Sequence, residues 1–63
     1  MIPYEVIVPG GPEGEKVDGI AIDLARVEGH DTYVAVIIGD RMSWFSRLDV
    51  QWGAPRPVDT RPL

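Results

Sequence analysis

Hydrophobic and polar residues along this chain fall into short alternating runs separated by glycine and proline, the pattern of an all-β protein. Tyr4-Glu5-Val6-Ile7-Val8 is a β-branched run closed by Pro9-Gly10-Gly11-Pro12, where fixed φ and permissive glycines stop any regular element. It predicts a first strand followed by a loop, PGGPEGEK, rich in turn formers. From Val17 to Val27 a second strand is expected. Ile20, Ile22 and Leu24 fall on one side of it, with Ala21, Asp23 and Ala25 on the other. Glu28-Gly29-His30-Asp31 then reads as a turn. TYVAVII, from Thr32 to Ile38, is apolar on both faces and dense in β-branched residues, which predicts a strand in the middle of the sheet, covered on both sides. Gly39-Asp40 fits a two-residue hairpin turn, and Met42 to Trp52 alternates again as a fourth strand.

Within that last strand the stretch DRMSWFSR offers two facings. With regular pairing from 42 to 52, Met42, Trp44, Leu48, Val50 and Trp52 face inward, and Phe45 is left outside. With a bulge or a 3₁₀ step near Ser46-Arg47, Phe45 turns inward and Trp44 outward, because the side-chain period is two. Met42 is expected inward. Either facing leaves one large ring at the surface near Arg47 and Arg41, so Arg41, Trp44, Phe45 and Arg47 are the candidate binding residues. Two roles suit the exposed ring: packing beneath the PGGPEGEK loop or the C-terminal tail, or serving as a recognition patch. Aromatic and arginine side chains dominate interface hot spots.

Short strands with tight turns and no convincing helix predict a small antiparallel sheet of four to five strands, a barrel or a curled sheet. Residues 1–53 form one small β domain on this reading. APRPVDTRPL, residues 54–63, is expected as an extended or disordered Pro-rich tail. The run from Lys16 to Trp52 resembles the SH3-like small barrels, including Tudor-type and KOW-type domains. The resemblance is carried by Gly19 entering the second strand, the turns at Gly29 and Gly39, and Trp44-Phe45 leading to Leu48-Asp49-Val50. It implies a bulge or 3₁₀ step near Ser46-Arg47. It implies no single function, because this superfold hosts peptide, nucleic-acid and assembly roles alike.

Composition narrows the classes of function. A chain of 63 residues has room for one core, and the absence of cysteine removes disulfides and thiolate zinc sites as reinforcement. The core must therefore be well packed or completed by a partner subunit. A formal charge of −4 argues against general attraction to nucleic acid or anionic lipid. The acids concentrate in the first half of the chain, while the second half holds Arg41, Arg47, Arg56 and Arg61. No targeting segment and no run of the roughly 20 apolar residues that a membrane helix needs is visible. A cytoplasmic protein is the expectation, and a phage or mobile-element origin fits the same signature.

No catalytic function is expected. His30 with Ser43 or Ser46 and the aspartates supplies the residue types of a triad but no nucleophile elbow or oxyanion hole. The aspartates lack calcium-loop spacing, His30 reads as an exposed turn residue, and the GGPEGE stretch lacks the GK[ST] ending of a phosphate loop and reads as a flexible connector. Glu13 and Glu15 read as solvated acids. Neither metal, cofactor nor small-molecule substrate is indicated. The functional expectation is a protein-interaction module or regulator, binding a protein partner or a second copy through the aromatic and arginine strand. The alternative is a nucleic-acid binder in which Trp44 or Phe45 stacks on a base while the arginines meet phosphates.

Overall fold

The computed structural model describes residues 2–56. Its elements are β1 (Tyr4–Val8), β2 (Val17–Arg26), β3 (Thr32–Ile38), β4 (Arg41–Ser46), a 3₁₀ turn (Arg47–Asp49) and β5 (Gln51–Pro55). All pairings are antiparallel and form one curled sheet in the order β4-β3-β2-β1-β5. Among the described residues the sheet does not close into a barrel, so β4 and β5 are its two edges. No helix in this part of the chain is long and apolar enough to cross a membrane.

The core lies on one face of the sheet. It consists of Val6 and Val8 from β1, Ala21 from β2, Val34 and Val36 from β3, and Val50, with Tyr4, Val17, Ile38 and Phe45 packed against it. Antiparallel partners share a face, so the registers Tyr4↔Ala21, Ala21↔Val36, Val36↔Ser43 and Val34↔Phe45 trace this core face across the strands. Small residues let the strands curl around it. Gly19 is buried there, and a Cβ on it would lie 2.5 Å from Val36 Cγ1 and 2.9 Å from the Ile37 carbonyl oxygen, so only glycine fits.

Four expectations about the strands need correction. β2, not β3, is the middle strand, and β3 lies between β2 and the edge strand β4. The isoleucines of β2 do not supply its core side: Gly19 and Ala21 do, while Ile20 faces the other way. A bulge between Ala21 and Asp23 then reverses the facing, so that Leu24 pairs with Val34 but stays 47% exposed near the strand end. The run from 42 to 52 is not one strand. It breaks at Ser46, whose Oγ accepts a hydrogen bond from Leu48 N–H at 3.3 Å, and the chain turns through the 3₁₀ step before Val50 re-enters the core. β5 continues to Pro55, two residues past the expected domain boundary, and Arg56 N–H donates to the Pro3 carbonyl at 2.7 Å. The remainder of the expected Pro-rich tail lies outside the described residues.

The PGGPEGEK segment is fastened rather than a plain connector. Gly14 N–H donates to Gly11 O (2.9 Å), and Gly11 N–H donates to Glu15 O (3.1 Å). Glu15 is exposed, in line with a solvated acid, and its carboxylate accepts from Glu13 N–H at 2.9 Å. Gly10 lies over the core rim, where an added Cβ would meet Ile38, Val17 and Phe45 side chains.

Candidate functional site

β4 decides how the candidate residues are displayed. Its register with β3 is uninterrupted, pairing Ile38↔Arg41, Ile37↔Met42, Val36↔Ser43, Ala35↔Trp44 and Val34↔Phe45. Val34 and Val36 face the core, so Phe45 and Ser43 do too, and Met42 and Trp44 face the other way. Of the two facings open to the sequence, the 3₁₀ step selects the one with Phe45 inward and Trp44 outward. Met42 is corrected with it: two residues from Trp44 on the same strand, it shares that outer face and is 50% exposed.

The structure therefore divides the four candidates. Phe45 packs against the core beside Gly10. Arg41, on the same side, donates to the Gly10 carbonyl (2.6 Å) and to Ser43 Oγ (3.1 Å), which ties the β1–β2 loop to the edge strand. Arg47 is exposed in the 3₁₀ turn. Trp44 alone of the four presents a large apolar surface to the outer face, and it is 47% exposed.

Sequence reasoning missed the neighbours that give this ring a surrounding surface. Following the registers across the sheet places Met42, Ile37, Ile20 and Glu5 in one row of the outer face. A second row holds Trp44, Ala35 and Asp23, and a third holds Asp18, Ile7 and Gln51. Ile37 is 38% exposed, whereas Ala35, small and between larger residues, is buried on this side of the sheet. A cavity of about 750 Å³ opens on the same face, with Ile7, Ile20 and Ile37 in its lining and Glu5, Asp18 and Arg56 among its polar groups. The signal for this surface is in TYVAVII. A strand apolar on both sides needs two covers, and the described residues supply one.

The second tryptophan belongs elsewhere. Trp52 pairs with Val6 on the core face and meets the Tyr4 ring edge-on, with centroids 5.7 Å apart and planes at 87°. It lies at the β1–β5 rim, 44% exposed, and also borders the cavity. His30 and Asp31 lie exposed in the β2–β3 turn. The chain matches no family model, no curated protein and no solved structure.

Proposed function

We propose that this chain is a small protein-interaction module, SH3-like in plan, that presents the outer face of β3 and β4 to another polypeptide. The observation that carries this reading is the pair Met42 and Trp44, both about half exposed and continuous with Ile37 and Ile20 on the face opposite the core. Large apolar side chains grouped on one surface are what interfaces use, and tryptophan is prominent among hot-spot residues. The 3₁₀ turn at Arg47–Asp49, where the SH3-like resemblance asks for one, supports the plan of the domain.

Charge on this face favours a protein over nucleic acid. Asp23 shares the row of Trp44, Glu5 and Asp18 border the isoleucines with Arg56 as the one cation among the described residues lining the cavity there, and Arg41 lies on the opposite side bound to Gly10. A base stacked on Trp44 would find carboxylates where phosphates need cations. The reading is tested by replacing Trp44 with a photo-crosslinking phenylalanine analogue in the native host, with the same analogue at exposed Glu28 as control. Protein adducts at position 44 and none at 28 are expected. Equal labelling at both positions, or salt-dependent oligonucleotide binding by the unmodified chain, would overturn it.

A further inference from the structure

The two edges of the sheet are built differently. β5 carries a register shift against β1 and ends in Pro55, which has no N–H. It also contains Gly53, where an added Cβ would come within 2.8 Å of the Glu5 carbonyl oxygen. Prolines and bulges are the devices by which edges avoid pairing with other chains. β4 has neither: RMSWFS is in unbroken register with β3, and its charged residue, Arg41, sits at one end.

Backbone parity on β4 is set by the hairpin turn. Gly39 has φ +62°, and no non-glycine residue among those described has positive φ, so the left-handed residue comes first, as in a type II′ turn. The residues flanking such a two-residue turn, Ile38 and Arg41, form a hydrogen-bonded pair. Alternation then directs the N–H and C=O groups of Arg41, Ser43 and Phe45 to β3. Those of Met42, Trp44 and Ser46 point away from the sheet, at the open edge. The residues with unclaimed backbone groups are thus the ones whose side chains lie on the outer face.

This arrangement is self-complementary. When a second β4 docks antiparallel about a two-fold axis normal to the sheet, residues of equal parity stand opposite one another, so donors meet acceptors. An axis through Ser43 sets Met42 against the partner's Trp44, Arg41 against the partner's Phe45, and Asp40 near the partner's Arg47. An axis through Trp44 instead brings Arg41 toward the partner's Arg47, a like-charge contact. Of these two registers, charge favours the first. In it, four backbone hydrogen bonds join Met42 and Trp44 across the seam, thioether lies against indole, and the outer apolar face runs unbroken from one copy to the next.

We propose that the chain self-associates through β4 in this register, as a two-fold dimer with a continuous ten-stranded sheet. The inference rests on reading the Met42 and Trp44 face as a contact surface: it joins two such faces side by side, and it names the occupant of the β4 edge as a second copy. Five paired residues make a seam of only about 17 Å, so the association is weak and concentration-dependent.

Sedimentation velocity of the full chain, from micromolar to millimolar, should show monomer passing to dimer. Amide exchange at Met42 and Trp44 should slow with concentration. Trp44→Lys sets an ammonium group of each copy into the seam, and Met42→Pro deletes an outward donor that an edge strand can lose without harm to its own sheet. Each should weaken dimerisation by about tenfold or more, while Ala54→Lys on β5 should leave it unchanged. Circular dichroism verifies that each variant is folded, and the exchange measurement needs no variant. Monomer at every concentration, or a dimer that survives both β4 changes or is lost equally with Ala54→Lys, would overturn the proposal. If the chain is monomeric yet crosslinks a different protein from position 44, self-pairing alone fails. If it also crosslinks nothing there, the reading of the face as a contact surface fails with it.

Discussion

The core face and the outer face of this sheet are both apolar, but they are made from different residues. The core face holds Val6, Val8, Ala21, Val34 and Val36, with glycine at 19 where strands crowd. The outer face holds Ile7, Ile20, Ile37, Met42 and Trp44. Size separates the fully buried core positions, which are valine, alanine and glycine, from the large residues of both faces, since Tyr4, Ile38 and Phe45 on the core face are only partly buried. On the inner side of a curl, side chains from all strands converge, and small β-branched residues fill the space at native density. On the outer side they diverge, leaving room for long and bulky groups that remain partly in water.

The strongest way to break this comparison is to put a large residue where the core face admits none. Gly19→Val places atoms against Val36 Cγ1 and the Ile37 carbonyl, and overpacking against backbone leaves little room to relax. A domain of this size has only about 3 to 5 kcal/mol of stability to lose. The variant should be unfolded by far-UV circular dichroism at room temperature. A folded variant with an unchanged melting temperature would show that β2 does not approach β3 as described.

A finer comparison uses two neighbours on β3. Val36 is fully buried and Ile37 is 38% exposed, although isoleucine is the larger residue. Val36→Ala should cost about 2 to 3 kcal/mol in urea denaturation and Ile37→Ala less than about 1 kcal/mol. Equal costs would mean that something covers the outer face in the free chain.

Much of the fold was legible in the sequence because strand, turn and breaker signals are local. β1, β3 and the Gly39-Asp40 turn follow from β-branched runs and from glycine at positive φ, and β2 stops one residue short of its expected end. What was not legible is which face of each strand meets the core. Ile20, Ile22 and Leu24 look like a core stripe by period. The bulge after Ala21 and the crowding around Gly19 give the core to the small residues instead, and neither effect is local to the strand. Met42 was misplaced for a related reason: its facing is fixed by the Gly39-Asp40 turn and the register with β3, and the 3₁₀ turn after Ser46 is what lets Val50 enter the core although Met42 and Trp44 face outward. That step was one of two patterns the alternation allowed, and it separates Phe45 from Trp44. The partners of Trp44 on the outer face come from β2 and β3, and only the register between strands brings them together.

The central claim is that Phe45 belongs to the core and Trp44 to the contact surface, and the most direct measurement compares their truncations by urea denaturation at concentrations low enough to keep the chain monomeric. Phe45 packs against the valine core and beside Gly10, so Phe45→Ala should cost about 2 to 3 kcal/mol, below the value for a fully buried ring. Trp44→Ala should cost less than about 1 kcal/mol, since the residue is 47% exposed on the uncovered face. A larger loss for Trp44→Ala than for Phe45→Ala would contradict this account of β4 and of the surface built on it.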